Sequence, residues 1–330
     1  MIFGSVARVR RAMYAAGILS PGRLPRPVVS VGNLVMGGAG KTPHVIHLAR
    51  WLSGGGRRVA VLSRGYGRKS RGVVWVSDGE GNVAPSREGG DEPVLIARSL
   101  PGVPVVVGES RAEAGRACLA RGPVDVFLLD DGFQHLSLHR DVDLLLVDCD
   151  RGLSNRWTVP FGPLREPPSH ARFADGLVVT KCPDAAAGER TAIAVPIPAG
   201  RPRAFSRLVA RGLVGRDGRS DRSLPPGTEV LAFSGLARNE TFQETLAQAG
   251  FRVSRFLPFP DHHEYSRADL ERISRDAGGL PAVTTEKDLV RLPGDVPFSV
   301  SALRVEVEYL SGWDGMSRMI LDRMEREGGR

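Results

Sequence analysis

The sequence predicts an α/β protein: a largely parallel sheet covered by helices on both faces, followed by a smaller α/β lobe. Three observations carry this. Short apolar runs alternate with stretches of helical periodicity from Pro27 onward, and a glycine-rich loop joins the first such run to the first such helix. Composition then shifts over residues 183–226, after which a second strand–helix–strand series begins. Strands alternating with amphipathic helices indicate parallel pairing, because each crossover must bring the chain back to the same edge of the sheet.

Residues 2–19 read as a short amphipathic helix. Ile2, Val6, Val9, Met13 and Ala16 share one face, Arg8 and Arg11 lie elsewhere, and Arg10 is at the border; Pro21-Gly22 ends it. A basic helix of this kind either lies in a membrane interface or packs on its own domain, and the periodicity leaves both open. Residues 27–34 form a buried strand. Residues 43–52 form a helix with Val45, Leu48, Ala49 and Leu52 on one face, stopped by Gly54-Gly55-Gly56. Strands follow at 59–63, 103–107, 124–129, 143–147 and 177–180. The stretch rich in Ala, Gly, Arg and Pro reads as a connector with strands at 192–197 and 204–209. Beyond it come a strand at 229–233, a helix at 239–249 capped by Gly250, a strand at 251–257, a helix at 266–277 and a strand at 282–285. The expected organisation is an N-terminal helix (1–20), a main sheet domain (21–183), a connector (184–228) and a second lobe (229–330), with a cleft between the lobes.

The chain has 330 residues, 42% hydrophobic and 25% charged, enough for two domains with their own cores. No apolar run approaches the roughly 20 residues that cross a bilayer. Residues 1–20 lack the apolar middle and cleavage site of a secretory signal, so the expectation is a cytoplasmic protein without a membrane span. Cys118, Cys149 and Cys182 are widely spaced and form no CxxC pair, which argues against a zinc site or a disulfide framework. The net charge of +8 points to a polyanionic partner: nucleic acid, an anionic membrane surface or a phosphorylated substrate. The arginines that carry most of it are scattered, without aromatic interleaving or a recognisable nucleic-acid module, so nucleic acid is not expected. No motif calls for an obligate protein partner.

The strongest motif is Gly37-Gly38-Ala39-Gly40-Lys41-Thr42, set between a predicted strand and a predicted helix. Glycines let the backbone curl so that successive N–H groups face phosphate oxygens, and the helix N-terminus adds partial positive charge. Lys41 would reach the β- and γ-phosphates and the Thr42 hydroxyl would ligate Mg²⁺. Val35 occupies the first glycine position of the strict phosphate-loop pattern, so this is a variant loop, and the sheet domain is P-loop NTPase-like. His44 and His47, three apart on the following helix, lack a third ligand and read as packed or solvated. The apolar run 124–129 ends in Asp130-Asp131, the layout that places a carboxylate beside the metal at a strand's C-terminal edge. Asp130 is the preferred direct ligand, and Asp148, ending the next strand, is held in reserve. Gln134 and His135 follow at the same edge.

Phosphoryl transfer to an alcohol also needs a group that takes the hydroxyl proton. Gly90-Asp91-Glu92-Pro93 opens a helix in the first lobe, and Asp261-His262-His263 follows a strand of the second. An Asp–His pair meeting across a cleft would serve; each motif alone reads equally as a cap or a loop. Arg111, after the third strand, fits a phosphate clamp or a surface ion pair.

These segments, with Val31-Gly32-Asn33-Leu34, Leu62-Ser63-Arg64-Gly65-Tyr66-Gly67, Pro163-Leu164-Arg165-Glu166, Phe233-Ser234-Gly235-Leu236-Ala237 and Thr285-Glu286-Lys287-Asp288, fall in one order over nearly the whole chain. In that order they resemble the tetraacyldisaccharide 4′-kinase family of the lipid A pathway. The resemblance implies ATP-dependent phosphorylation of the 4′-hydroxyl of an acylated glucosamine disaccharide 1-phosphate, giving lipid IVA. It implies Asp91 and His262 as the base pair, Lys41 and Thr42 on phosphates and Mg²⁺, and Asp130 and Asp131 serving the metal. Glu92, Arg111, Gln134, His135 and Glu166 would line or support the site. The resemblance also favours the membrane reading of the N-terminal helix, at the cytoplasmic face of the inner membrane. Ala39 stands where a hydroxyl residue is expected before Gly40. A P-loop switch of the metallochaperone or partitioning type is the rival reading; it would not need the Asp-His-His segment.

Overall fold

A computed structural model describes residues 2–236 and 238–328. In chain order the first part contains α1 (Ile2–Ala15), β1 (Val28–Asn33), α2 (Lys41–Gly54), β2 (Val59–Ser63), β3 (Val74–Ser77), α3 (Ser86–Gly89), α4 (Asp91–Ser99) and β4 (Val105–Val107). It continues with α5 (Arg111–Arg121), β5 (Val126–Asp130), β6 (Val142–Asp148), β7 (Gly176–Thr180) and α6 (Ala185–Ile193). The second part contains β8 (Arg203–Val214), β9 (Ser220–Asp221), β10 (Glu229–Ser234), α7 (Asn239–Gln248), β11 (Arg252–Pro258), α8 (Arg267–Ala277) and β12 (Ala282–Thr285). It closes with α9 (Glu286–Arg291), β13 (Val300–Ser311) and α10 (Trp313–Gly328). Ala237, last residue of the Phe233 motif, lies outside the described residues.

The strands form one sheet of order β11-β10-β12-β13-β8-β7-β6-β1-β5-β2-β4-β3, with β9 beside β8. Neighbours are parallel except at β3–β4, β8–β9 and the central pair β8–β13. That central pair determines where chemistry can happen. β7 pairs the first residues of β8 (Leu177↔Arg203 to Val179↔Phe205), and β12 pairs the first residues of β13 (Ala282↔Val300 to Thr285↔Leu303). β8 and β13 run antiparallel from Ala302↔Val214 to Ser311↔Phe205. The two parallel sets therefore sit at opposite ends of a ribbon roughly 40 Å long at about 3.3 Å per residue. Because they run in opposite senses, their C-terminal edges face each other, and loops following strands of either set open into one cleft.

Alternation along the strands covers both faces. Val29, Val31, Val61, Leu128, Leu144 and Leu146 pack under α2, α4 and α10, whereas Val28, Ala60, Leu62, Phe127 and Leu129 pack under α5. The predicted stripe Val45, Leu48, Ala49 and Leu52 of α2 is buried in the first of these. Each such Leu or Val contributes about 1.5–3 kcal/mol by leaving water.

The region after residue 183 departs from expectation. Residues 192–197 are not a strand: α6 runs to Ile193, started by Asp184, whose side chain accepts from Ala187 N at 2.7 Å. The 183–226 stretch holds β8, a full strand of the sheet, and β13 and α10 were not foreseen. Of the two readings left open for α1, packing on the domain through the apolar stripe does not fit Val6 and Val9, which are each 59% exposed. The helix docks instead through buried Arg11, whose Nε and Nη2 donate to Glu166 Oε2 at 3.1 and 2.9 Å. Its guanidinium also stacks between Phe133 and Phe173, 4.9 and 4.8 Å from the ring centroids.

Arg11 Nη2 also donates to Phe133 O at 3.0 Å, and Glu166 additionally meets His170 Nδ1 at 3.0 Å, so this buried carboxylate is the only counter-charge in the anchor. Glu166→Ala is expected to destabilise the fold by about 3–5 kcal/mol, because it leaves a buried guanidinium unpaired. Urea denaturation measures this; a midpoint matching wild type would refute the anchor.

Candidate active site

β1 ends at Asn33, and the chain curls through the glycine-rich loop into α2. Gly40 is the N-cap residue at φ 74°, a left-handed conformation that a side chain would strain. The loop is held by its carbonyls: Lys181 Nζ donates to Gly38 O at 2.5 Å and Thr180 Oγ1 to Ala39 O at 3.0 Å. The amides of Gly37, Gly38 and Gly40 make no hydrogen bond among the described residues. A curl of free amides at a helix N-terminus is an anion cradle. Lys41, the first helical residue, is buried with Nζ 3.2 Å from Asn33 Oδ1 and 3.5 Å from Asp131 Oδ1. Thr42 is buried beside it.

Parallel pairing Val31↔Asp130 brings the end of β5 alongside the strand that feeds the loop. Asp130 Oδ2 accepts from Ser63 Oγ at 3.0 Å, while its buried Oδ1 has no partner. Burial, reinforced by the charges of Glu92 and Asp131, pushes the Asp130 carboxyl up to about 7. Asp131 behaves differently. Burial raises its pKa, but Lys41 and Arg165 (Nη1 to Oδ2, 2.7 Å) outweigh that and hold it below the usual range. Glu92 follows the same pattern: Lys287, at 2.6 Å, and Lys41 overcome burial. Asp148 is occupied by Lys181 Nζ at 2.9 Å.

The turn after Asp131 crosses closely over β1. A Cβ on Gly32 would lie 2.6 Å from Phe133 N, so only glycine permits the crossing. It sets Gln134 Nε2 on Asn33 O at 2.9 Å and Gln134 Oε1 near Arg165 at 3.5 Å. His135 meets Ser137 Oγ at 3.1 Å; burial, then the charges of Arg111 and Arg140, pull it down to about 3, so its ring is neutral. Arg111 opens α5 with its buried Nε unpartnered and Nη1 on Glu109 O at 3.2 Å. Burial and the neighbouring Arg64 lower it to about 10, and Asp130 and Asp131 are close enough to pull the other way.

From the opposite edge, His262 approaches Asp91, with Nδ1 to Oδ2 at 3.9 Å. That is too long for a hydrogen bond. Arg291, which the sequence reading did not single out, lies between them: its Nε donates to Asp91 Oδ2 at 2.6 Å and its Nη2 to His262 Nδ1 at 3.0 Å. Arg165 was also missed, although it belongs to the same quoted segment as Glu166. The chain bends at these two residues, and Arg165 reaches Asp131 while Glu166 turns to Arg11 and His170. His44 and His47 are packed: His44 bonds Gly40 O and Ser206, with burial lowering it to about 4, and His47 stacks edge-on to Tyr309 and Trp313.

A parallel α/β sheet, a phosphate-type loop after its central strand and two acids ending the adjacent strand define the class of P-loop nucleotide-binding enzymes. Comparison with known proteins makes this particular. The family model for LpxK, tetraacyldisaccharide-1-P 4′-kinase, matches residues 1–325, and the chain belongs to that family. A tetraacyldisaccharide 4′-kinase of Anaeromyxobacter dehalogenans strain 2CP-1 is 42% identical over 324 residues, covering 94% of this chain and 85% of the relative. That of Geobacter sulfurreducens is 42% identical over 293 residues, covering 88% and 82%. The crystal structure of LpxK from Aquifex aeolicus, described as an "apo" form in complex with ATP, superposes with TM-score 0.81 at 36% identity, covering 98% of this chain and 96% of that one.

Proposed function

We propose that this protein transfers the γ-phosphate of ATP to the 4′-hydroxyl of a tetraacylated glucosamine disaccharide 1-phosphate, forming lipid IVA. The observation that carries the reading is the meeting, in one cleft, of the free-amide loop with Lys41, Asp130 and Asp131 on one side and His262 on the other. The amides of residues 37–42 would cradle the triphosphate. Lys41 would leave Asn33 and Asp131 for the β- and γ-oxygens, since those two partners hold it only a short reach from the loop.

Magnesium fits the residues present. Asp130 Oδ1, like Asp131 Oδ1 next to it in the chain, is a buried carboxylate oxygen without a hydrogen-bond partner, the kind of donor a hard cation takes. Among the described residues no three His, Cys, Asp or Glu side chains form a complete cage, which suits an ion bound by one or two carboxylates and nucleotide phosphates. Thr42, Asp130 and Asp131 would hold it, and when bound it would neutralise charge on the transferring phosphoryl group. Asp91 would accept the hydroxyl proton with His262 as its partner, its Oδ1 being free of hydrogen bonds. Arg111, with its buried unpartnered Nε, would hold a phosphate, and Glu92, Gln134 and His135 would shape the pocket. The lobes 21–183 and 229–330 would close on the substrates, with 184–228 joining them and Glu166 bracing α1.

The acceptor's acyl chains place this chemistry at a membrane surface, here the cytoplasmic face of the inner membrane. No described helix is long and apolar enough to cross a membrane. The outward Val6 and Val9, the basic Arg8 and Arg10, and exposed Trp157 and Phe161 support contact with anionic lipid. The experiment is transfer of label from γ-labelled ATP to the purified disaccharide in mixed micelles. Labelled lipid should appear only with enzyme, Mg²⁺ and acceptor together. Acceptor-independent hydrolysis that survives His262→Ala would support a nucleotide switch instead.

A further inference from the structure

The second lobe presents two cations to two consecutive acids of the first. Lys287 Nζ is 2.6 Å from Glu92 Oε1, and Arg291, one helical turn further along α9, is 2.6 Å from Asp91 Oδ2. The two pairs differ in how they are built. Lys287 is partly exposed and makes one contact. Arg291 has a side chain only 4% exposed, anchored by Asp288, which is fully buried. Asp288 is itself fixed by Gly235 N at 3.1 Å and Thr285 Oγ1 at 2.6 Å, and its Oδ1 receives Arg291 Nη1 at 3.2 Å. Arg291 Nη1 also reaches Gly235 O at 3.4 Å. The guanidinium is thus held in place from within the second lobe, and its two remaining edges point at Asp91 and His262.

We propose that Arg291 is the positioning residue of the proton-accepting pair: one pinned guanidinium sets Asp91 of the first lobe and His262 of the second at a fixed spacing across the cleft. The inference rests on the kinase reading above, in which those two residues handle the hydroxyl proton. Two consequences follow from hydrogen-bond chemistry alone. Arginine only donates, so His262 Nδ1 is an acceptor and the ring proton is on Nε2. Asp91 Oδ2 is committed to the guanidinium, leaving Oδ1 as the oxygen available to a substrate hydroxyl. Separating the lobes breaks the bond to Asp91 and leaves the bond to His262, which is made within the second lobe, so the pair is assembled only in the closed arrangement. A lysine could keep a positive charge near Asp91, but it lacks the planar fork that meets two acceptors together.

The test compares wild type, Arg291→Lys and Arg291→Gln. It uses steady-state label transfer and ¹⁵N-histidine NMR of the full chain, with circular dichroism to establish folding; Asp288 keeps its Thr285 and Gly235 donors in both variants. Misplaced reacting groups cost about 10²-fold in rate. Arg291→Gln should therefore lose about 10²-fold in kcat and Arg291→Lys about tenfold, with KM for ATP within about twofold of wild type. In wild type the His262 Nδ1 resonance should be that of an unprotonated nitrogen, and it should move in Arg291→Gln. Should Arg291→Gln be unfolded, Arg291→Lys decides by the same two readouts. Retention of kcat within about twofold, or a protonated Nδ1 in wild type, overturns the proposal. Absence of transfer by wild type overturns the kinase reading instead, and the nitrogen resonances still report whether Arg291 bridges the pair.

Discussion

Lys41→Ala is expected to reduce phosphoryl transfer by on the order of 10³-fold or more, the largest effect of any single side chain in the loop. Two losses combine. The first is the direct one: a preorganised ammonium aimed at developing charge is worth several kcal/mol in a water-poor site, and no other lysine is placed to substitute. Lys181 is held by Gly38 O and Asp148, and Lys287 by Glu92. The second is electrostatic. Lys41 helps hold Glu92 and Asp131 low and opposes the burial that pushes Asp130 up, so removing it leaves three neighbouring acids without their shared counter-charge. Nucleotide affinity should fall with the rate, which separates this variant from one acting on the proton alone. Calorimetric titration of Mg-ATP together with the transfer assay measures both. Activity within tenfold of wild type would remove Lys41 from the phosphate site.

The element that carries nucleotide chemistry was legible because every feature of it is local. A buried strand, a glycine curl and a helix stripe lie within residues 27–52, and Asp130-Asp131 ends an apolar run. The facing of the two lobes was not legible. It depends on the register of β8 against β13, which joins residues about a hundred positions apart and is set by pairing over the whole ribbon. β13 did carry a local signal, the strict alternation Arg304-Val305-Glu306-Val307-Glu308 of a half-buried strand, but nothing in it names β8 as the partner. α6 was hidden by an Ala- and Gly-rich composition, although Asp184 three residues before the Ala187 amide is a usable cap signal. Arg291 had a faint signature, the i, i+3 spacing from Asp288 on a six-residue helix, but nothing local says that the acceptors it serves lie on another lobe. The stripe of α1 is a different case. Periodicity found the apolar face correctly, but the docking is done by one arginine between two aromatic rings, a contact that hydrophobic pattern does not register.

The second large effect concerns proton removal, and its form is more informative than its size. His262 has φ 60°, so asparagine is the proper replacement there, since it tolerates the left-handed region and leaves the loop intact. Asp91→Asn and His262→Asn are each expected to lower kcat by about 10²–10⁴-fold, the usual worth of a positioned acid–base group. Were the two independent, the double variant would multiply those losses. The structure argues otherwise: both residues bond the same guanidinium, so each is placed through it. Without Asp91, His262 has no carboxylate to support, and without His262, Asp91 Oδ1 meets the hydroxyl lacking its partner. The double variant should therefore be no slower than the slower single, as groups acting as one unit behave. ATP affinity should be nearly unchanged in all three, because the phosphate loop and its acids are untouched. Multiplicative losses in the cycle would mean that Asp91 and His262 serve different steps, and the cleft geometry would then have to be assigned to acceptor binding.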